Sequence, residues 1–214
     1  MEILAKLFGS AAKVKIIRLF LFNPKSGYDL QDIIFRAKIT IEEARREIKE
    51  LEKAGLVKRR TFYKITRSKE GESKPDPKKK TTGWMLDERF LYLEAMYKFF
   101  TTIPPLQNRQ ILARLARTGK IKLIIISGFF IQDSNSRVDL LVVGDNFRQA
   151  LFENTIARIE SDLGKEVTYV ALETEEFNYR LRMYDKLIRD IIDYPHVVVI
   201  DKIGIHRNSM LHLV

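Results

Sequence analysis

One stretch, residues 40–60, constrains the fold of this chain more than any other, and it reads TIEEARREIKELEKAGLVKRR. Thr40 and Glu43 have the spacing of a capping box, in which each side chain accepts a hydrogen bond from the backbone of the other. Apolar residues then recur at steps of three and four, as on the buried face of a helix. Gly55 is typical of the left-handed residue that ends a helix. The sequence therefore predicts a capped helix followed by a basic strand at residues 56–60.

The face of this helix that lies opposite the apolar one is rich in cations. At about 100° per residue, the outer face carries Glu42, Arg46, Lys49 and Lys53. A helix with such a face, a glycine stop and a basic strand after it indicates an element that enters the major groove of DNA. The alternative is an ordinary solvated surface helix, because four glutamates dilute the basic set. These glutamates are Glu42, Glu47, Glu50 and Glu52.

The net charge of +10 is distributed unevenly along the chain. Residues 1–82 hold 21 Lys and Arg against 11 Asp and Glu, whereas residues 83–214 hold 17 of each kind. This asymmetry is expected if only the first part of the chain binds a polyanion such as nucleic acid. A membrane surface would need a basic amphipathic helix with exposed apolar anchors, and every apolar face here is better used as core. We therefore expect a nucleic-acid partner and no membrane partner.

Composition adds bounds on size and location. The chain of 214 residues is long enough for one large domain or two small ones, and its apolar fraction of 45% suffices for a core. The absence of cysteine excludes disulfides and thiolate metal sites and fits a reducing compartment. The N-terminus does not have the pattern of a signal peptide, and no apolar run approaches the length of a membrane span. A cytoplasmic location is expected.

The segments around the basic helix complete a predicted DNA-binding domain. Helices are expected over 10–22, with Ser10 as N-cap, and over 28–35, and strands over 57–66 and 82–86. Residues 67–81 form a polar tract that contains no apolar residue and is not expected to pack. The residues expected to contact DNA are Thr40, Glu42, Arg45, Arg46, Lys49 and Lys53 on the helix and Arg59, Arg60, Lys64, Lys78, Lys79 and Lys80 on the hairpin. The alternative for the last three lysines is a solvated loop.

Aromatic residues are concentrated in residues 87–102, DERFLYLEAMYKFFTT, which predict one helix. Apolar residues occur nearly all round it, which is more than a single core face requires. This pattern suits a connecting helix that packs between two domains or against its own copy in a homodimer.

Strand and helix patterns alternate in the second half of the chain. Strands are predicted over 123–127, 138–143, 167–172 and 197–200. Helices are predicted over 106–117, over 146–161, and over a long segment from Thr174 to Ile191 with Thr174 as its cap. The chain is therefore expected to be an α+β protein in which a small mixed sheet is covered by helices.

Two resemblances follow from these residues. Residues 10–86 resemble the winged helix-turn-helix domain of bacterial regulators, above all in LEKAGLVKRR and the aromatic strand after it. Residues 106–214 resemble the minimal nucleotidyltransferase fold, in the strand IIISG and in SRVDLLVV. The resemblance implies a DNA-binding domain at 1–86, a connecting helix at 87–105 and a nucleotidyltransferase-like domain at 106–214.

The metal-binding pattern of the nucleotidyltransferase family is incomplete in this chain. That family holds Mg²⁺ with two or three carboxylates. Here Asp139 matches the second carboxylate, Arg137 stands at the first, and the strand VTYVAL offers none. We therefore expect no catalytic residues, no metal and no cofactor. Gly128, Arg137 and Asp139 could still hold a phosphate-bearing ligand, unless Arg137 pairs with Asp139 or Asp133 or faces solvent.

These expectations combine into one functional hypothesis. The chain is expected to be a transcriptional regulator that binds double-stranded DNA as a homodimer, with an inactive nucleotidyltransferase-like domain for sensing or assembly. A nucleotide or small molecule would be the effector. The alternative is an active nucleotidyltransferase whose winged helix holds a nucleic acid or protein substrate. A third reading is a winged helix that binds protein.

Overall fold

Helices and two small sheets build this chain, in agreement with the expected α+β class. The structure is a computed structural model that describes residues 2–65, 78–102, 108–133 and 135–205. By its internal contacts the chain divides into two compact units. The first contains Met1–Pro105 and Ser161–Lys165, and the second contains Leu106–Glu160 and Glu166–Val214.

The first unit starts with four helices, continues with a hairpin and ends its main segment with a further helix. In chain order these elements are α1 Glu2–Phe8, α2 Ala11–Leu21, α3 Leu30–Ala37, α4 Ile41–Lys53, β1 Val57–Ile65, β2 Lys78–Leu86 and α5 Leu93–Thr102. Ser10 caps α2 as predicted, and Asp29 forms a capping box with Asp32 at the start of α3. The predicted capping box of Thr40 and Glu43 is present at the start of α4.

Helix α2 is the centre of the first core. Val14, Ile16, Ile17 and Phe20 on this helix are almost fully buried. Around them pack buried residues from the neighbouring elements, namely Ile33, Ala44, Ile48, Leu51, Leu56 and Leu86. Burying one such aliphatic side chain contributes about 1.5–3 kcal/mol. The core therefore fixes which face of α4 is turned outward.

Backbone hydrogen bonds attach the β1–β2 hairpin to the segment before α3. The strands are antiparallel, with Val57 opposite Leu86. Tyr28 and Trp84 exchange two backbone hydrogen bonds of 2.9 and 2.8 Å. Gly83 permits this approach, because a methyl group at its Cα would overlap the carbonyl group of Tyr28. The hairpin is thus joined to the helical part by a short third strand pairing.

The second unit contains a four-stranded mixed sheet. Its elements are α6 Asn108–Leu115, β3 Lys120–Ile126, a short 3-10 helix Gly128–Ile131, β4 Leu140–Asp145, α7 Gln149–Leu163, β5 Tyr169–Glu173, α8 Thr174–Arg182, α9 Lys186–Asp193 and β6 Val197–Asp201. The strand order is β5-β4-β3-β6. Strand β3 is antiparallel to β4 and β6, and β4 is parallel to β5. The last residues of α7 belong to the first unit.

The predicted long helix from Thr174 to Ile191 is wrong, because two helices occupy this segment. Tyr184 has a φ of 54°, which ends α8, and the Asp185 carboxylate accepts hydrogen bonds from Leu187 N and Ile188 N at the start of α9. Glu173 rather than Thr174 is the N-cap residue of α8. A good capping residue therefore interrupts a periodicity that continues across it.

The helix predicted for residues 87–102 is shorter than expected, since α5 begins at Leu93. Before it the chain turns twice, through hydrogen bonds from Phe90 N to Asp87 O and from Leu93 N to Phe90 O. The strand predicted for 82–86 is longer, because β2 starts at Lys78. Most of the polar tract predicted at 67–81 lies outside the described residues. In the described ranges, none of the helices combines the length and apolar character that a bilayer crossing requires.

Candidate nucleic-acid interface

The outer face of α4 carries cations that have no partner in the described part of the chain. Ala44, Ile48 and Leu51 bury the inner face of α4 in the core. Arg45 and Lys49 lie on the opposite side, where both are exposed. Neither makes a hydrogen bond or an ion pair with another described residue. Both can therefore meet an external anion.

The glutamates of α4 are mostly engaged within the protein. Glu43 belongs to the capping box. Glu50 accepts a hydrogen bond of 3.0 Å from Lys53, and Glu52 accepts one of 2.9 Å from the indole nitrogen of Trp84. Glu47 is almost fully buried. Of the glutamates that dilute the basic face in the sequence, Glu42 is thus the one left without a described partner.

Glu47 also holds the guanidinium group of Arg46, which limits the contacts that Arg46 can make with an external anion. Arg46 donates two hydrogen bonds of 3.0 and 2.9 Å to one carboxylate oxygen of Glu47, and Lys13 lies 3.3 Å from the other oxygen. Burial acts to raise the pKa of Glu47, but hydrogen bonds from Arg46, Ser10 and Lys13 outweigh it and hold this pKa below its ordinary value. Arg46 is therefore tied to an ionised carboxylate, although its side chain remains largely exposed.

Strand alternation separates the hairpin residues into two faces. Arg59, Thr61 and Tyr63 share one face with their cross-strand partners Trp84, Thr82 and Lys80. We call these six positions the outward face, because their side chains other than the half-buried Trp84 are exposed, whereas Val57 and Leu86 at the base of the same side are buried. Lys58, Arg60, Phe62 and Lys64 share the other, inward face with Lys79. The predicted phosphate-binding residues are thus divided between two sides of the hairpin.

Lys64 is engaged in an internal ion pair. Its ammonium group lies 3.1 Å from Asp29 and 2.5 Å from Asp32, at the start of α3. Burial acts to raise the pKa of Asp29, but hydrogen bonds from Asp32 and Lys64 outweigh it and lower this pKa. Burial acts to lower the pKa of Lys64, and the two carboxylates outweigh it and raise this pKa. Lys64 therefore binds the hairpin to α3 rather than standing free for a phosphate.

The other predicted hairpin cations differ in their surroundings. The guanidinium carbon of Arg59 lies 5.6 Å from the ring centroid of Trp84. Arg60, Lys79 and Lys80 are exposed. The side chain of Lys78 lies outside the described residues. On the hairpin, the structure thus offers Arg59 and Lys80 on the outward face and Arg60 and Lys79 on the inward face.

In the second unit, Asp139 joins two backbone segments. Its carboxylate accepts hydrogen bonds of 2.7 Å from Phe129 N and 2.9 Å from Thr168 N. Gly128 has a φ of 54°, and a methyl group there would overlap this carboxylate. The structure thus brings Gly128 and Asp139 together. The hydrogen bonds of Asp139 connect the loop at Phe129 with the segment before β5.

Arg137 is separate from that pair. Its exposed guanidinium group lies 3.6 Å from Asp190 on α9, which is neither of the partners weighed from the sequence. Over the described ranges, no group of three or more His, Asp or Glu residues could hold a metal ion. The three predicted ligand-binding residues thus do not converge on one described site.

Three residues of this candidate surface were not among the predicted site residues, namely Glu52, Tyr63 and Trp84. Tyr63 could have been found from strand alternation, because it lies two positions from Thr61 and four from Arg59. The hydrogen bond between Glu52 and Trp84 had no local signal, since these residues are 32 positions apart. Comparisons of this chain with protein-family models, curated proteins and solved structures found no match.

Proposed function

We propose that the first unit is a winged helix-turn-helix domain that binds double-stranded DNA, and that the chain regulates transcription. The order of α2, α3, α4 and an antiparallel hairpin supports this proposal, as does the strand pairing of Tyr28 with Trp84. The observation that carries it is the pair of exposed cations Arg45 and Lys49, which have no partner among the described residues and lie on the outer face of a firmly capped helix.

In this proposal α4 lies in the major groove. An arginine there can donate two hydrogen bonds to O6 and N7 of guanine, which discriminates against other bases by about 1–3 kcal/mol. Arg45 suits this role because no described carboxylate competes for it. Lys49, one helical turn further on, suits a phosphate or a base edge. Arg46 and Lys53 would first have to leave Glu47 and Glu50.

We further propose that the second unit is nucleotidyltransferase-like and serves sensing or assembly. The antiparallel β3–β4 pair, the loop at Gly128 and the parallel β4–β5 pair support this likeness. Asp139, the residue that matches a metal ligand of that family, holds two backbone amides instead. Assembly into a homodimer is supported by the first unit instead, where α5 buries Phe100 but leaves Tyr97 and the preceding Leu91 and Tyr92 exposed.

The test is a binding titration with matched charge changes. Selection from random duplexes would first identify a preferred sequence. Arg45→Ala with Lys49→Ala is then compared with Arg117→Ala combined with Lys186→Ala, which removes the same charge from exposed positions of the second unit. We expect the α4 double variant to lose sequence preference and at least tenfold in affinity, and the control to bind as wild type. Equal losses in both variants, or no binding of any duplex at low salt, would contradict the proposal.

A further inference from the structure

An exposed aromatic ring lies among cations on the outward face of the hairpin. Tyr63 is 69% exposed and stands directly opposite Lys80 in the antiparallel register. Its neighbour Phe62 supplies one of the apolar contacts that attach the hairpin, since its ring lies against Gly27, and Val57 and Leu86 supply others in the core. Tyr63 is therefore not needed for packing in the described structure. A single exposed tyrosine is ordinary, but its position within a basic face is informative.

The outward face is continuous with the outer side of α4. The half-buried Trp84 lies on this face, donates its indole N–H to Glu52 of α4 and lies beneath the guanidinium group of Arg59. On α4, Lys49 is three residues before Glu52, so the two are neighbours on the helix surface. One surface therefore runs from Arg45 and Lys49 through Trp84 to Arg59, Tyr63 and Lys80.

We propose that the duplex held by α4 also lies across this outward face, with Tyr63 packed against a deoxyribose and with Arg59 and Lys80 on phosphates. This inference rests on the proposed function and assigns it a further contact residue. Tyrosine suits the site because its ring is apolar and its hydroxyl group can stay in water. Arg59 and Tyr63 are four residues apart, or about 13 Å along the strand. The cations can thus reach phosphates about as far apart as the major groove is wide, roughly 12 Å.

The cations of the inward face are excluded from this contact. Lys64 pairs with Asp29 and Asp32, and Lys58 pairs with Asp87 at 2.8 Å. Arg60 and Lys79 are exposed, but they share the side of the hairpin that faces this carboxylate pair. A duplex approaching from that side would meet the start of α3, where Asp29 and Asp32 already hold Lys64. The inward cations therefore provide a control on the same element.

Trp84 is the only tryptophan of the chain and lies on the outward face, so its fluorescence gives a signal from this surface. The full chain is titrated with a short mixed-sequence DNA duplex at several salt concentrations. Tyr63→Ala and the double variant Arg59→Ala with Lys80→Ala are compared with Arg60→Ala combined with Lys79→Ala. Tyr63→Phe keeps the ring and controls for loss of folding.

We expect the Arg59 and Lys80 variant to lose about tenfold in affinity and to have a salt slope shallower by about 1.8, since each phosphate contributes about 0.9. Tyr63→Ala should lower affinity severalfold at every salt concentration with an unchanged slope, because a sugar contact releases no counterions. Tyr63→Phe and the inward control should bind as wild type. Trp84 emission should change on addition of DNA to wild type and control.

Three outcomes would overturn the inference. The first is an equal loss in the inward and outward double variants, and the second is Trp84 emission that does not respond to bound DNA. The third is wild-type binding by both outward variants while Arg45→Ala with Lys49→Ala abolishes binding, which would leave the proposed function standing. If the wild-type chain binds no duplex, both proposals are wrong.

Discussion

The carboxylate of Glu47 lies 3.3 Å from the ammonium nitrogen of Lys13, and this ion pair joins α4 to α2 beneath the outer face of α4. Arg46 approaches the same carboxylate from the solvent side. A buried anion thus connects the core helix of the first unit with an outward-facing cation. The position of the proposed DNA-contacting helix is therefore coupled to the ionisation of one buried group.

The first prediction concerns Glu47→Gln. Because the folded-state pKa of Glu47 is lowered, its ionised form stabilises the fold above the unfolded-state pKa of about 4.3. This contribution is lost as pH falls through the folded-state pKa. We expect the variant to lower the free energy of unfolding by about 1–3 kcal/mol at pH 7 and by less in acid. Urea titrations followed by Trp84 fluorescence would measure this, with the exposed Glu50→Gln as control. A difference that does not depend on pH would contradict the prediction.

The second prediction separates two roles of Lys64. As an internal ion pair with Asp29 and Asp32, it should stabilise the hairpin by less than about 1 kcal/mol, because the pair is partly exposed. Lys64→Met should lower stability by that amount and leave the salt slope of DNA binding unchanged. Lys79→Met, which alters the cross-strand partner of Lys64, is the matched control and should leave stability unchanged. If Lys64→Met instead makes the salt slope of DNA binding shallower by about 0.9, Lys64 contacts a phosphate, as the sequence predicted.

The third prediction concerns Asp139→Asn. The carboxylate of Asp139 accepts one hydrogen bond on each of its two oxygens, from Phe129 N and from Thr168 N. The amide of asparagine has only one oxygen that can accept. We expect the variant to lower the free energy of unfolding of the second unit by about 1–3 kcal/mol. Thermal unfolding followed by circular dichroism would measure this, with Asp193→Asn at an exposed ion pair as control. Unchanged stability would show that Asp139 does not hold these segments together.

The fourth prediction concerns Gly83→Ala. A methyl group at this position would overlap the backbone of Tyr28 and force the hairpin away from the segment before α3. Overpacking of this kind costs about 1–3 kcal/mol. We expect a lower unfolding midpoint and a red shift of Trp84 emission, because Trp84 is the strand partner of Tyr28. The neighbouring exposed Thr82→Ala should cause neither change. A wild-type emission maximum in Gly83→Ala would contradict this account.

Local chemistry explains what could be predicted from the sequence. The capping box of Thr40 and Glu43 and the left-handed Gly55 involve residues within a few positions of one another, and both are found where the pattern predicts them. Local patterns also explain the failure at Tyr184 and Asp185, where apolar periodicity continued but a capping aspartate started a new helix. In that case two local signals competed, and the cap prevailed.

Long-range pairing explains what the sequence did not reveal in the candidate site. From the sequence, Glu47 is one of several glutamates expected on the solvated face of α4. In the structure its carboxylate is buried and pairs with Lys13, which lies 34 positions earlier. In the sequence, Lys64 is not distinguishable from the other basic residues of the hairpin. The fold places it beside Asp29 and Asp32, which are more than 30 positions away in the chain. The structure was also needed to show that Arg59 and Arg60 lie on opposite faces of the hairpin, because this depends on the strand register. The charges could be listed from the sequence, but their availability depends on the tertiary structure.

The alternation of the hairpin also limits how this segment can evolve. Inserting one residue between Phe62 and Tyr63 would carry every later side chain of β1 to the opposite face, so that Tyr63 would turn inward and Lys64 would lose its carboxylates. Two inserted residues would restore the parity. Homologous chains should therefore vary in strand length by even steps here, whereas changes of odd length should accumulate beyond the paired residues.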